Sequence, residues 1–301
     1  MSPAPRDWAE LLRVSALFTV PGDALAGAAS AGRRPNGRTA LALGASLCLY
    51  EAGMALNDWA DREEDARERP HRPIPSGRVK PGAALAAAAG LTGAGLALAH
   101  RAGRPAGAVA TALAATVWAY DLRLKHTKAG PAAMAAARSL DLLLGATATA
   151  GSPRRALAPA AALGAHTYAV TTVSRHEVFG GSAKAPLAAL AVTGTLGALT
   201  ASLPGPAGPD RAPAGGRAAA VRRAAGAALA ATYTATAARP FLHAALNPSP
   251  PLTQRAVGGG IRAMIPLQAA LAARAGAPGT AAGLLGLIPV ARTLARKVSP
   301  T

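Results

Sequence analysis

The chain has 301 residues, of which 51% are hydrophobic and only 15% are charged, whereas soluble domains carry about 25% charged residues. This shortage of charge excludes an ordinary soluble domain and favours an integral membrane protein, in which ionisable side chains are costly. The formal net charge of +18 does not indicate a partner nucleic acid, because the arginines lie singly or in pairs between apolar runs. We expect them to meet the anionic surface of a lipid bilayer.

Long apolar stretches follow one another along the chain and determine the predicted fold. Several reach the roughly 17 to 25 residues that a helix needs to cross a bilayer, and they are too long for barrel strands. Their predicted extents are residues 11–31, 39–56, 81–100, 105–119, 131–150, 156–173, 185–203 and 217–246, followed by 258–297 with a break near 275–279. We predict an all-α polytopic transmembrane helical bundle of about nine spans, or ten if the last region is a hairpin, in a single domain over residues 1–301.

Three polar segments follow the second, fourth and sixth predicted spans, namely Asn57–Lys80, Asp121–Lys128 and Ser174–Lys184. A chain that crosses the membrane at every span returns to the same side after two crossings, so the three segments are expected on one face. The loops of this face carry eleven Lys and Arg residues, against seven on the opposite face. The positive-inside rule therefore predicts a multi-pass protein of the cell membrane whose active-site loops face the cytoplasm.

The first polar segment gathers six of the fourteen acidic residues of the chain within eleven positions. If the second span continues as a helix, Asp58, Asp61 and Asp65 lie on one face, with Asn57 at its edge. Carboxylates at this spacing repel one another, so the pattern indicates a bound cation. Oxygen ligands suit Mg²⁺, which proteins commonly hold together with the phosphates of a substrate.

A loop rich in proline follows these acids and carries positive charge. The prolines prevent a helix, and Arg72 and Arg78 supply cations that suit a phosphate-bearing substrate. Acids for a metal next to cations for an oxyanion predict a diphosphate site. The simpler interpretation is a solvated loop whose charges compensate one another.

The motifs in these segments resemble those of a known family. NDWADREED, from Asn57 to Asp65, matches the N-D-x-x-D-x-x-x-D motif of the UbiA family of intramembrane prenyltransferases, and RPIPSG, from Arg72 to Gly77, is similar to the segment that follows it. YDLRLK, from Tyr120 to Lys125, resembles the loop after the fourth span of the family. The sequence is also similar to a mainly actinobacterial branch, whose acceptor the motifs do not identify.

The resemblance implies a fold, a reaction and a set of site residues. The reaction is transfer of a prenyl group from a prenyl diphosphate to a mostly hydrophobic acceptor within a helical bundle, with Mg²⁺ as cofactor. The implied metal ligands are Asn57, Asp58, Asp61 and Asp65, and the three aspartates are also implied to be catalytic. Arg72 and Lys125 would contact the diphosphate, with Lys125 also catalytic, and Tyr120 would stand near the reacting carbon. The alternative role for Tyr120 is that of an interfacial anchor at the end of a span.

The second acidic motif of the family, D-x-x-x-D after the sixth span, is altered. This chain has TTVSRHEVFGG, with a single carboxylate. We predict that Glu177 holds a metal, that Ser174 contacts a ligand oxygen and that Arg175 binds phosphate. The alternatives are a loop without metal binding, and a non-catalytic membrane binding or assembly protein that keeps the fold. A cation transporter would need acids deep within its spans, whereas these acids lie at a span end.

Two charged residues in the predicted span at residues 131–150 need a separate interpretation. Arg138 and Asp141 are three positions apart, a spacing that brings side chains together on one face of a helix. We predict a structural ion pair between them, and the alternative is a site for the acceptor.

Overall fold

The computed structural model describes residues 4–13, 20–177, 180–202 and 216–287, and among these residues the regular structure is entirely helical. The helices are α1 (Pro5–Leu11), α2 (Val20–Ser30), α3 (Gly37–Ala60), α4 (Arg62–Glu68), α5 (Pro81–Ala102), α6 (Arg104–Ala119), α7 (Gly130–Ala150), α8 (Leu157–Ser174), α9 (Lys184–Ser202), α10 (Gly216–Leu246), α11 (Pro250–Arg274) and α12 (residues 278–287). A π-helical turn, Tyr120–Leu124, follows α6, and a 3-10 turn, Arg154–Ala156, precedes α8. The predicted all-α architecture is confirmed.

Four of the described helices, α3, α5, α9 and α11, are long and apolar enough to cross a membrane by themselves. The count of nine spans remains a prediction. Of the first predicted span, residues 11–31, the structure describes the last residue of α1 and the whole of α2. Residues 14–19 lie outside the described part. The predicted break in the last region is present, since α11 ends at Arg274 and α12 begins at 278.

Local sequence explains where several helices begin and end. Asn36 caps α3, because its side-chain oxygen accepts hydrogen bonds from the backbone N–H groups of Arg38 and Thr39 at 3.0 and 3.2 Å. Pro81 occupies the first turn of α5, where its missing N–H removes no helical hydrogen bond. Gly103, with φ of 147°, follows the last residue of that helix, a conformation that favours glycine.

Small residues let the helices of the bundle approach closely, which provides packing contacts that lipid alone would not favour. One such close approach is between α2 and α7. A Cβ atom added to Gly145 would overlap the backbone of Ala24, and one added to Gly27 would overlap the carbonyl oxygen of Leu142. These two glycines therefore determine how α2 lies against α7.

The three polar segments lie at the same end of the bundle, as span parity predicts. Asn57 donates a hydrogen bond to Asp121 at 3.1 Å, and Lys125 forms an ion pair with Asp61. The Arg175 guanidinium donates to the carbonyl oxygen of Thr127 at 2.6 Å. Residues that follow α3, α6 and α8 are therefore in direct contact.

Helix α1 is attached to this end by Arg78, which lies in the loop before α5. The guanidinium is 2.8 Å from a carboxylate oxygen of Asp7 and 2.7 Å from one of Glu10, and it donates to the carbonyl oxygen of His71 at 2.6 Å. The hydrogen bonds that Arg78 donates to Glu10, and then to Asp7, raise the pKa of Arg78, and the bond to Asp7 lowers the pKa of that carboxyl. Arg78, expected from the sequence to bind substrate, holds α1 in place in the structure.

We expect the attachment of α1 to weaken in acid. The pKa of Asp7 is lower in the folded protein, so its contribution is fully present above the ordinary aspartate pKa of about 4 and is lost as the pH falls through the lowered value. Hydrogen exchange at residues 5–11 should therefore accelerate below about pH 4. Arg78→Ala should produce the same acceleration at neutral pH, and Arg101→Ala at the exposed far end of α5 should not. If residues 5–11 exchange as slowly in Arg78→Ala as in the wild type, Arg78 does not hold α1 in place.

Candidate active site

The acidic segment does not continue α3 as one uninterrupted helix. α3 ends at Ala60, Asp61 caps it with φ of −88° and ψ of 5°, and α4 begins at Arg62. The expectation of a single helix is therefore wrong at Asp61. The interruption separates the three aspartates into two groups, each with its own cationic partners.

Asp58 and Asp65 form the inner group and are among the most buried charged residues described, with 4% and 1% of their surface exposed. Arg72 contacts both, at 2.7 Å from Asp65 and 3.5 Å from Asp58. Arg13, two residues after the end of α1, lies 2.9 Å from Asp58, and Arg69 lies 3.3 Å from Asp65. Buried carboxylates need such partners because an unpaired buried charge is strongly unfavourable.

Asp61 belongs to an outer group. Its carboxylate forms an ion pair with Lys125 and lies 3.9 Å from the ring of His126. Ligand atoms of Asp61, Glu64 and His126 all lie within 4.8 Å of one another, an arrangement that suits a metal ion. The structure thus brings Asp61 and Lys125 together, as expected, and adds two possible ligands from adjacent positions.

The π-helical turn carries Asp121, which contacts Asn57, and it is followed directly by Lys125 of the outer group. It is closed by a hydrogen bond from the backbone N–H of Lys125 to the carbonyl oxygen of Tyr120 at 3.0 Å, five residues apart, and such turns are frequent at functional sites. Burial raises the pKa of Asp121 to about 6, while the hydrogen bond from Asn57 acts in the opposite direction. Asn57, expected among the metal ligands, thus contacts Asp121.

A cavity of about 340 Å³ opens beside these groups, between α3, α6 and α7. Its mouth is lined by polar side chains, those of Arg13, Asn57, Tyr120 and Asp121. Its walls are mostly apolar, and its inner end is lined by Ser46, Arg138 and Asp141. The lining of the walls includes Leu49, Gly53, Met54, Leu113, Val117, Met134 and Ala137. The acids therefore stand where an apolar cavity meets the polar end of the bundle.

The altered second motif lies beside the π-helical turn. Arg175 is tied to Thr127, as described above, and the Ser174 hydroxyl donates to the carbonyl oxygen of Thr171 at 2.9 Å. Glu177 is partly buried, which raises its pKa. The described contacts of Ser174, Arg175 and Glu177 do not include the acids of the first motif. Their predicted role in binding the metal and the phosphate therefore remains a prediction.

Four residues near the site were not expected from the sequence. Arg13 falls in a predicted apolar span, so nothing in the pattern sets it apart. Asp121, Glu64 and His126 each stand next to or within a recognised motif, and that adjacency is the one signal that points to them.

The predicted ion pair between Arg138 and Asp141 is wrong, because each side chain has a partner on another helix. Arg138 lies 3.0 Å from a carboxylate oxygen of Asp23 on α2, and Asp141 accepts a hydrogen bond at 2.7 Å from Ser46 on α3. Spacing along one helix places both side chains on one face, but the helices packed against that face supply closer partners.

Curated relatives of this chain are archaeal proteins named digeranylgeranylglyceryl phosphate synthase. The protein of Methanopyrus kandleri is 37% identical over 114 residues, which cover 38% of this chain and 40% of the relative. The protein of Ignicoccus hospitalis is 35% identical over 146 residues, 48% of each chain. The matched stretches thus span less than half of these relatives.

Solved structures share the fold over most of the chain. A UbiA homologue from Archaeoglobus fulgidus bound to DMAPP and Mg²⁺ has a TM-score of 0.61 at 16% identity, covering 86% of this chain and 99% of the homologue. A UbiA homologue from Aeropyrum pernix has a TM-score of 0.58 at 19% identity, covering 82% and 96%. The sequence pattern of the UbiA prenyltransferase family matches residues 15–201. Because this match covers more than half of the chain and the helical fold agrees with it, the chain belongs to the UbiA prenyltransferase family.

Proposed function

We propose that this protein transfers a prenyl group from a prenyl diphosphate to a lipophilic acceptor in the membrane, with Mg²⁺ as cofactor. The observation that carries the proposal is the position of the aspartates and their cationic partners at the mouth of an apolar cavity. The names of the archaeal relatives, and the DMAPP and Mg²⁺ bound by the Archaeoglobus homologue, support the same chemistry.

We further propose a single domain over residues 1–301, located in the cell membrane. The excess of Lys and Arg in the loops near the acids supports a cytoplasmic orientation for the mouth of the cavity.

The side chains at the mouth fit Mg²⁺. The donors are carboxylate oxygens, which Mg²⁺ prefers, and each of the three aspartates already has a cationic partner that a metal would replace. Asp58, Asp61 and Asp65 would hold it, with Asn57 beside them and Glu177 from the altered motif. When bound, Mg²⁺ supplies positive charge that neutralises the departing diphosphate.

The chain itself supplies the other groups that the reaction needs. Arg72 and Lys125 bind the diphosphate oxygens through charge-assisted hydrogen bonds and stabilise the negative charge that develops on the leaving group. Ser174 and Arg175 contribute from the neighbouring segment. Tyr120, at the mouth of the cavity, stabilises the positive charge on the allylic carbon through its ring, and the apolar walls limit attack by water.

A second candidate is a non-catalytic member of the family that binds a prenyl lipid or assists assembly. The altered second motif favours it, because Glu177 is the single carboxylate between Ser174 and Lys184. In this case the first motif would still bind a metal and a diphosphate, but no prenyl group would be transferred.

The two candidates are separated by turnover with purified protein in lipid nanodiscs. We expect geranyl diphosphate, Mg²⁺ and a lipid extract to yield free diphosphate and a prenylated lipid detectable by mass spectrometry, with no product after chelation by EDTA. Glu177→Gln should reduce turnover more than binding, because metal charge matters most as the leaving group departs. Arg175→Ala should weaken binding itself. Binding without any product, across acceptors and prenyl diphosphates, would favour the non-catalytic member.

A further inference from the structure

The inner end of the cavity is ionic, which is unusual for a cavity with apolar walls at this depth. Ser46, which lines it, lies eleven residues before Asn57 on α3, or about 16 Å along the helix at 1.5 Å per residue. Ionisable groups inside a membrane are costly and usually have a function. We refer to Ser46, Arg138 and Asp141 as the floor of the cavity.

The floor is fixed by contacts from four helices. Arg138 pairs with Asp23 on α2, and Gln268 on α11 donates to the other oxygen of Asp23 at 2.6 Å. Asp23 and Gln268 are fully buried, and Asp141 is 6% exposed. Because the supporting residues belong to α2, α3, α7 and α11, the floor cannot withdraw without separating those helices.

An apolar ligand cannot cover this floor without a cost. Methyl groups pressed against the floor would take the remaining solvent from a carboxylate and a guanidinium and return no hydrogen bond. Arg138 keeps 12% of its side-chain surface exposed, and Asp141 keeps 6% of its surface exposed. This exposed part would lose its solvent. A prenyl tail that enters from the mouth is therefore expected to end before the floor.

We propose that the floor limits the length of the prenyl tail, so that this protein accepts geranyl and farnesyl diphosphates and disfavours geranylgeranyl diphosphate. An extended carbon chain rises roughly 1.25 Å per bond, from bonds near 1.5 Å and tetrahedral angles. On this basis the main chain of a farnesyl group spans roughly 14 Å and that of a geranylgeranyl group roughly 19 Å. Only the second exceeds the roughly 16 Å that separates Asn57 from Ser46 along α3. The inference rests on the proposed use of a prenyl diphosphate.

The experiment measures binding of geranyl, farnesyl and geranylgeranyl diphosphates to the full chain in nanodiscs with Mg²⁺. We expect the wild type to bind geranylgeranyl diphosphate about tenfold or more weakly than farnesyl diphosphate, the scale of discrimination by pocket size. The double variant S46A/D141A leaves Arg138 paired with Asp23 and makes the floor less polar. It should bind the two longer substrates equally. Ala137→Leu, which adds bulk next to the floor, should weaken farnesyl binding and spare geranyl binding.

The outcomes separate this inference from the proposed function. If the wild type binds no prenyl diphosphate, both are overturned. If it binds geranylgeranyl diphosphate as tightly as farnesyl diphosphate, the length limit alone is overturned. The limit is also overturned if Ala137→Leu, which adds no polar group and removes none, leaves the preference unchanged. That variant keeps the test decisive even if the double variant does not fold.

Discussion

The Asp61→Asn variant is expected to fold normally and to lose Mg²⁺-dependent turnover. Asp61 caps α3 at the polar end of the bundle, and its side chain is 20% exposed, so its charge is not needed for packing. Removing that charge takes away a proposed metal ligand and releases Lys125. Loss of one preorganised electrostatic contact commonly reduces turnover roughly 10²–10³-fold, and we expect at least that here. The measurement is diphosphate release from geranyl diphosphate, with and without Mg²⁺.

Glu63→Gln is the matched control for this variant. Glu63 is also acidic and lies two residues away, but its side chain is 84% exposed and its closest ionic contact is with Arg62. It should retain turnover. A folded Asp61→Asn protein that still binds the diphosphate in a fully Mg²⁺-dependent manner would remove Asp61 from the site.

The second large effect is expected from a single methyl group at the contact between α2 and α7. In Gly145→Ala the new Cβ would overlap the backbone of Ala24, which cannot rotate aside as a side chain does. Overpacking of this kind costs about 1–3 kcal/mol, more than the roughly 1 kcal/mol that alanine gains over glycine within a helix. Thermal unfolding in detergent should therefore occur at a lower temperature. Turnover should also fall, because α2 carries Asp23, the partner of Arg138 at the inner end of the cavity.

Gly93→Ala tests whether this effect depends on the contact. Gly93 lies within α5, and an added Cβ there meets no atom within 4 Å. Its unfolding temperature should be unchanged or slightly higher. If both variants unfold at the same temperature, the close approach of α2 and α7 does not limit stability.

Apolar runs and their boundaries allowed most of the fold to be predicted from the sequence. The span expected at residues 81–100 is observed as Pro81–Ala102, because a proline begins it and a glycine follows it. Span parity also predicted which loops meet. The interruption of the helix at Asp61 was not predictable, since neither proline nor glycine occurs there and the charged residues around it are compatible with a helix.

The motifs of the site were predictable from the sequence, but the ion-pair partners of its residues were not. The motifs identified the aspartates, Lys125 and Arg72, and these residues are together in the structure. Tertiary contacts decide the remaining partners. Arg138 pairs with a residue 115 positions earlier in the chain, and Arg13, which lies in an apolar run, reaches Asp58 because α1 is held by Arg78.

Because guanidinium and ammonium groups already neutralise the aspartates at the mouth, metal binding there is an exchange of one cation for another. Under the proposed function, Arg72 and Lys125 would be displaced by the metal and would need new anionic partners, which a diphosphate would provide. We therefore expect metal and diphosphate to bind with positive coupling, so that each raises the affinity for the other by the same factor. Without the substrate, the ion must compete with side chains whose effective concentration is fixed by the fold. We therefore expect the site to hold its metal tightly only when the prenyl diphosphate is also bound.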